Sequence, residues 1–209
     1  MALGDLHEEP DPPRDRPPID YLIRTILSQN TNDENRDVAW DSLVDEFDRD
    51  YAAIESADRS ELATVIRTAG LANQKARRIQ NALKTIRDHT DGEYTLEFIE
   101  EMDVNAARGW LTNIKGIGPK TAAIILLFRF QKPIFPVDTH CHRLAKRFDL
   151  ISPDVSAERA HDILSEQVPN DIMYSFHRLL ISHGRQYCTA RNPNCDNQVC
   201  ERFCDCEFC

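Results

Sequence analysis

The chain lacks the features of a membrane or secreted protein. Its longest strongly apolar run covers only residues 122–128, which is too short to cross a bilayer. Its first residues have neither a basic start nor an apolar stretch, so no secretory signal peptide is expected. At 209 residues, the chain is long enough for one domain or for two small ones. We expect a soluble, cytoplasmic monomer without a membrane partner.

Lysine is scarce, whereas acidic residues are abundant. The chain has six lysines against 21 aspartates, and its formal net charge is −10. A surface rich in aspartate and poor in lysine is typical of proteins that work in molar salt, so we expect a halophilic source. An ordinary acidic bacterial protein is the alternative.

Cysteine is almost missing from the first 187 residues, which contain only Cys141. The other six cysteines fall within the last 22 residues: Cys188, Cys195, Cys200, Cys204, Cys206 and Cys209. In an intracellular chain, such crowding favours a metal site over disulfide bonds. Thiolate ligands suit both iron–sulfur clusters and zinc, so these residues alone leave both open.

The charge is unevenly distributed along the chain. Residues 1–103 carry 12 basic and 24 acidic side chains, and residues 149–209 carry five basic and ten acidic ones. Residues 104–148, called the basic segment below, carry eight basic side chains and one acidic. The eight are Arg108, Lys115, Lys120, Arg129, Lys132, Arg143, Lys146 and Arg147. Because a local positive patch matters more than net charge, this segment indicates phosphate binding.

Helical periodicity dominates the sequence, and no run shows convincing two-residue alternation. We therefore predict an all-α fold of many short helices. Asp33 is a possible cap of one helix, and Asp58 with Glu61 forms a capping box at the start of another. Residues 1–18 are rich in proline and charge, which predicts a flexible tail.

A glycine-rich turn lies inside the basic segment, where residues 114–120 read I-K-G-I-G-P-K. Gly116 and Gly118 permit a positive φ, and Pro119 suits the first position of a helix. Exposed N–H groups at such a turn and helix start can bind a phosphate. Residues 104–129 thus predict a helix–hairpin–helix motif, with DNA contacts from Lys115, Gly116, Ile117 and Gly118.

Lys120 and Asp138 are the candidate catalytic pair, and each has an alternative interpretation. Lys120 can be a phosphate contact or an amine nucleophile. As a nucleophile it must lose its proton, although only on the order of one free lysine in 10³ is neutral at pH 7. The gap of about three pKa units needs about 4 kcal/mol, and a helix dipole supplies roughly 0.3–1 kcal/mol. Asp138 can act as a helix cap or as the one carboxylate in a positive field.

These motifs resemble the endonuclease III family of helix-hairpin-helix DNA glycosylases. The resemblance covers I-K-G-I-G-P-K-T-A, F-P-V-D-T-H, L-S-Q-N-T-N-D and the cysteine-rich end. It implies an archaeal, halophile-like member with two helical lobes, residues 19–133 and 134–209, and a DNA cleft between them. It also implies that Lys120 attacks C1′ of a damaged nucleotide and forms a Schiff base, while Asp138 activates the lysine. Departure of the 3′-phosphate by β-elimination then follows.

The resemblance assigns further roles outside the catalytic pair. Asn30 aligns with the polar residue that fills the gap left by the extruded base, and Gln29 is the alternative. Arg143 and Arg191 are expected to contact DNA. The family pattern for a 4Fe–4S cluster implies the following ligands: Cys188, Cys195, Cys200 and Cys206. The middle interval here is two residues longer than in the family, so Cys204 and Cys209 remain rival ligands.

The resemblance implies a nucleoid-associated enzyme with both glycosylase and abasic-site lyase activities, which acts on oxidised pyrimidines in duplex DNA. A mismatch-specific uracil or thymine glycosylase is the closest rival, because it shares the fold and the cluster. A non-catalytic DNA-binding module is the rival from a different class. The module needs the basic segment but neither Lys120 nor Asp138.

Overall fold

A computed structural model describes residues 2–7 and 16–204 of the chain. The described residues form α-helices and short 3-10 turns without any β-strand, as the sequence predicted. None of their helices is long and apolar enough to cross a membrane. The chain divides into a central unit, residues 15–125, and a terminal unit that joins the start of the chain to residues 126–209.

The central unit contains the motif-bearing helices of the first half of the chain. They are α2 (Pro18–Leu27), α3 (Asp33–Phe47), α4 (Tyr51–Ser56), α5 (Arg59–Val65), η1 (Arg67–Ala69), α6 (Ala72–His89), η2 (Glu97–Ile99), α7 (Val104–Asn113) and the start of α8 (Pro119–Phe130). α2 supplies most of its apolar residues to the core, where they are fully buried: Ile19, Leu22, Ile23, Ile26 and Leu27. α6 packs against α2, α4 and α5, so it is the scaffold of this unit.

Part of the aspartate excess serves helix capping. Asp50, Asp58 and Asp103 each cap a helix by accepting hydrogen bonds from backbone N–H groups of its first turn. The predicted capping position of Asp58 is confirmed, since its carboxylate accepts from the N–H of Glu61. The predicted cap of α3 is wrong by one residue: Asn32 accepts from the N–H of Asn35, and Asp33 is already helical.

The terminal unit contains the end of α8 and five further helices. They are α1 (Ala2–Leu6), α9 (Thr139–Arg147), α10 (Ala157–Gln167), α11 (Met173–Gln186) and α12 (Gln198–Phe203). The boundary lies inside α8, eight residues before the predicted one at 133 and 134. A physical reason is that Phe128, near the end of α8, already packs edge-on against Tyr174 of α11, with ring centroids 4.8 Å apart.

The start of the chain differs from the predicted flexible tail, because α1 packs against α11 and α12. Leu3 and His7 are buried there, and His7 Nε2 lies 3.3 Å from His183 Nδ1. Burial, and next the neighbouring His7, lowers the pKa of His183 to about 4, so this ring is neutral. Residues 8–15 of the predicted tail lie outside the described residues. Residues 2–7 therefore pack within the terminal unit through two buried side chains, which the composition did not predict.

Candidate nucleic-acid interface and cysteine loop

The glycine-rich turn joins α7 to α8, as the motif predicted. Gly116 has a φ of +106°, a conformation that favours glycine. Gly118 does not have a positive φ, so the prediction for this second glycine is wrong. Ile114 and Ile117 are buried on either side of Gly116 and anchor the turn to the core.

Backbone N–H groups of this turn are only partly available to an anion. The N–H of Ile117 donates to the carbonyl of Ile114 at 3.0 Å, so it closes the turn and is not available to a phosphate. In the described part of the chain, the N–H groups of Gly116 and Gly118 have no hydrogen-bond acceptor. The donors that remain for the predicted phosphate contact are therefore the N–H groups of the two glycines and of the helix start behind them.

Lys120 lies in the first turn of α8, with an exposed side chain. Lys115, in the turn itself, is also exposed. Thr121 follows Lys120 and points inward, with its side chain nearly buried. The first turn of α8 thus exposes the Lys120 amine to solvent, while the Thr121 side chain next to it packs inside the central unit.

Gln29 fastens the end of α2 to this turn. Its Nε2 donates to Thr121 Oγ1 at 3.2 Å and to the carbonyl of Gly116 at 3.4 Å. Its Oε1 accepts a hydrogen bond from Arg78 of α6. A β-carbon at Gly116 would collide with Cγ of Arg78, so this residue must be glycine for two reasons. The central unit therefore brings Gln29, Arg78 and the glycine-rich turn together, which the sequence did not indicate.

Asn30 and Leu71 are both exposed residues with a left-handed backbone. Asn30 follows the anchored Gln29 with a φ of +53°. Leu71 has a φ of +49°, and 55% of its surface is exposed. Asparagine tolerates this conformation, whereas a bulky apolar residue there is an outlier. Sequence reasoning missed Leu71, and its only signal was an apolar residue directly after Gly70.

Lys75 is a second residue that the sequence analysis missed. Its ammonium group is buried in the central unit, and burial followed by the nearby Arg78 lowers the pKa of Lys75 to about 8. A signal was present, because Lys75 lies one helical turn before Ile79 on the apolar face of α6. A lysine on the buried stripe of an amphipathic helix indicates a specific partner.

Asp138 belongs to the terminal unit, whereas Lys120 belongs to the central unit. Asp138 caps α9, and its Oδ1 accepts a hydrogen bond from the N–H of Cys141 at 2.7 Å. The capping interpretation is thus confirmed, and the cap fixes the direction of the carboxylate. His140 lies beside Arg143, with its Nδ1 3.1 Å from Nη2 of that arginine.

Several cations of the basic segment donate to backbone carbonyls within the terminal unit. The Arg143 guanidinium donates to the carbonyls of Gly184 and Cys188, both at 2.9 Å, and its DNA contact stays a prediction. Lys146 donates to the carbonyl of Pro153 at 2.6 Å. These charges still contribute to the positive potential, although some of their N–H donors already bond within the protein. Arg191 is exposed, as a DNA contact requires.

In the cysteine loop, of which the structure describes residues 188–204, the Cys188 and Cys195 thiols lie within electrostatic range of the Cys200 thiol. Burial raises the pKa of the Cys200 thiol, and the neighbouring Cys188 and Cys195 thiols raise it as well. Arg147 donates a 2.9 Å hydrogen bond to Cys188 Sγ, which suits a thiolate at that position.

Cys206 and Cys209 lie outside the described residues, and Cys204 is half-buried at their edge. Within the described range, no set of three or more His, Cys, Asp or Glu side chains is arranged to hold a metal ion. Clustered thiols beside a hydrogen-bonding arginine nevertheless fit the donor chemistry of an iron–sulfur cluster or of zinc.

Comparisons with known proteins agree with this architecture. The family described as HhH-GPD superfamily base excision DNA repair protein matches residues 23–170. An endonuclease III from Sulfolobus acidocaldarius is 35% identical over 186 residues, which cover 88% of this chain and 79% of the relative. A trapped covalent intermediate of endonuclease III with DNA superposes with a TM-score of 0.81 at 26% identity, covering 97% of this chain and 91% of that one. A thermostable thymine-DNA glycosylase shares the fold, with a TM-score of 0.75 at 21% identity and coverage of 96% and 89%.

Proposed function

Because the chain belongs to the endonuclease III family of the HhH-GPD superfamily and is therefore a base-excision DNA glycosylase, we propose that Lys120 makes it an abasic-site lyase as well. The observation that carries this proposal is an exposed lysine in the first turn of α8, directly behind the phosphate-binding turn. A mismatch glycosylase that uses water as its nucleophile needs no amine at this position.

The proposed reaction uses the lysine amine and the Asp138 carboxylate in turn. Neutral Lys120 attacks C1′ of the nucleotide, the N-glycosidic bond breaks, and the base leaves with a proton. Opening of the sugar ring then yields the imine between C1′ and Nζ. The imine withdraws electrons, a proton leaves C2′, and the bond from C3′ to its phosphate breaks by β-elimination. Asp138 takes the proton that the attacking amine loses, passes it to the departing base, and balances positive charge at the sugar. The C2′ proton is released to water.

Asn30 and Leu71 are the side chains proposed to fill the duplex where the nucleotide is extruded. A base must leave the stack before the enzyme can reach it, and unstacking costs a few kcal/mol. Glycosylases and other DNA-bending proteins offset this cost with side chains that enter the duplex, and leucine is a typical apolar wedge. The anchored Gln29 is already bonded to the turn, so exposed Asn30 is the better candidate of the pair.

Asn30 and Gln29 are the two alternatives for the polar gap-filling residue, and substitutions at these positions give opposite predictions. We expect Asn30→Gly to keep the melting temperature, because glycine accepts the positive φ, but to slow base release from a duplex about tenfold. We expect Gln29→Ala to lower the stability of the central unit by about 1–3 kcal/mol, because it removes a hydrogen bond to charged Arg78. Thermal unfolding and single-turnover kinetics measure the two effects. The assignment is wrong if Asn30→Gly retains full activity.

A 4Fe–4S cluster is the proposed cofactor of the cysteine loop, held by Cys188, Cys195, Cys200 and Cys206. When bound, the cluster supplies four-thiolate cross-links that order a segment with little apolar content. Arg147 stabilises the Cys188 thiolate through its 2.9 Å hydrogen bond. Arg143 and Arg147 also hold the carbonyls of Cys188 and Thr189, so α9 fixes the start of the loop. The ordered loop is proposed to present exposed Arg191 to DNA.

Oxidised pyrimidines in duplex DNA are the proposed substrate class, and a lesion panel tests this. Matched duplexes carry one oxidised pyrimidine, one uracil or thymine opposite guanine, or an undamaged pair. We expect base release and strand cleavage only for the oxidised pyrimidine. Release of the mismatched base without strand cleavage would favour the mismatch glycosylase. Binding to all three duplexes without base release would favour a DNA-binding module. Such a substrate places the enzyme with chromosomal DNA, and we propose that it acts there as a monomer.

A further inference from the structure

A buried lysine fastens together the two turns that carry Asn30 and Leu71. Only 1% of Lys75 is exposed, and its Nζ donates hydrogen bonds of 2.7 Å to the carbonyl oxygens of Leu27 and Ala69. Leu27 is the last residue of α2, and Ala69 is the last residue of η1. Carbonyls at helix ends lack an intrahelical partner, and here one ammonium group supplies a partner for both.

The two turns share one feature, which is an exposed residue with a left-handed backbone shortly after the carbonyl that Lys75 contacts. Asn30 lies three residues after Leu27, and Leu71 lies two residues after Ala69. Both exposed residues have φ values near +50°, as given above, so a short and restricted piece of backbone connects each side chain to its fastened carbonyl. The carbonyl of Leu71 also accepts the backbone N–H of Lys75, so α6 itself places Leu71. The two hydrogen bonds of the Lys75 ammonium group connect the turn of Asn30 to this helix start.

We propose that Lys75 is a positioning residue, which sets the distance between Asn30 and Leu71 by holding both turns on one ammonium group. The inference rests on the proposed function, in which these two side chains enter the duplex. It adds a residue that touches neither DNA nor the reacting atoms. Its effect on duplex DNA is exerted through the two turns.

A lysine at this position carries the cost of burying a charge, which its two hydrogen bonds to helix-end carbonyls must offset. Its neighbours on the buried face of α6 include Ala76 and Ile79, and an apolar side chain there would avoid the penalty of burying a charge. Desolvation, which lowers the pKa of Lys75, is the mark of that penalty. The ammonium group fixes the geometry between two separate segments, because it makes one charge-assisted hydrogen bond to each of them.

The test compares a duplex with a single strand that carries the same abasic site. An abasic sugar in a single strand needs no extrusion and leaves no gap to fill, so it requires Lys120 but not the two turns. The measured quantity is the rate of borohydride-trapped adduct on the duplex divided by the rate on the single strand. This ratio is independent of the fraction of folded protein. We expect Lys75→Met to lower it roughly thirtyfold to a hundredfold, since a misplacement of about 1 Å costs up to about a hundredfold.

Lys84→Met is the matched control, because it removes the same charge from an exposed position on the same helix. We expect it to leave the ratio unchanged. If Lys75→Met does not fold, Lys75→Gln replaces it, since its amide keeps a donor on a side chain that is one bond shorter. An unchanged ratio in the folded variant, even with a lower melting temperature, would overturn the proposal and leave Lys75 a purely structural role.

A mutant cycle tests whether Lys75 acts through the two turns. In an Asn30→Gly, Leu71→Ala background, we expect Lys75→Met to have no further effect on the ratio, because residues that act as a unit are non-additive. A full additional loss would contradict positioning through these side chains. Wild-type protein that forms no adduct on either substrate would instead contradict the proposed lyase, and this inference with it.

Discussion

We expect Lys120→Ala to abolish the borohydride-trapped adduct with an abasic duplex and to slow strand cleavage by about 10⁵-fold. A positioned nucleophile corresponds to an effective molarity of about 10⁵–10⁸ M, so its removal has a large effect even though the side chain is exposed. The hairpin and its anchors do not involve the lysine side chain, so the fold is expected to remain. Gel analysis of the reduced adduct and single-turnover cleavage measure the result.

Lys115→Ala is the control for the charge of Lys120. Both lysines are exposed and lie five residues apart on the same turn and helix start. We expect Lys115→Ala to weaken DNA binding and to reduce the salt dependence by about one counterion, but to keep the adduct. If Lys120→Ala still forms the adduct, another amine is the nucleophile, and the assignment of Lys120 fails.

Cys188→Ala is expected to remove the brown colour, the iron and the labile sulfide, and to unfold the cysteine loop. Cys188 is fully buried, and its thiol is the one that Arg147 contacts. Structural zinc sites supply about 10–16 kcal/mol to the folding of small domains, so loss of a structural cluster has an effect of several kcal/mol. Metal analysis and thermal unfolding measure it, and limited proteolysis shows whether the damage is confined to the terminal unit.

Cys141→Ala provides the comparison for this substitution. Cys141 is also buried, but its Sγ lies 3.4 Å from His177 Nδ1, and it is not among the predicted ligands. We expect this variant to keep its colour and its iron content. A wild-type protein that is colourless and contains zinc would show that the iron–sulfur prediction is wrong. Full iron content in Cys188→Ala would remove Cys188 from the ligand set.

The motif residues were predictable because their roles depend on local backbone geometry. Gly116 requires a positive φ, Pro119 suits a helix start, and Asp138 precedes a helix that it caps. Each of these properties is encoded within a few residues. The all-α fold was predictable for the same reason, since helical periodicity and capping aspartates recur along the chain.

The remaining site residues depend on long-range contacts, which a single sequence does not show. Arg143 lies in the basic segment, as a DNA-contacting residue would. Its guanidinium nevertheless donates hydrogen bonds to the carbonyls of Gly184 and Cys188, which are 41 and 45 residues away in sequence. Arg78 contacts Gln29 from 49 residues away, and Lys75 reaches the carbonyl of Leu27 from 48 residues away. A cation that donates within the protein and one that faces DNA have the same local sequence signal.

Docking of α1 has a consequence for the order in which the protein is made. His7 contacts His183, which is synthesised 176 residues later. The central unit is continuous in sequence and can fold on the ribosome, whereas α1 precedes it and meets α11 and α12, which follow it, only after the whole central unit has been made. Contacts so distant in sequence form slowly. Completion of the terminal unit therefore follows the folding of the central unit, and α1 remains without these partners until α11 and α12 have been made.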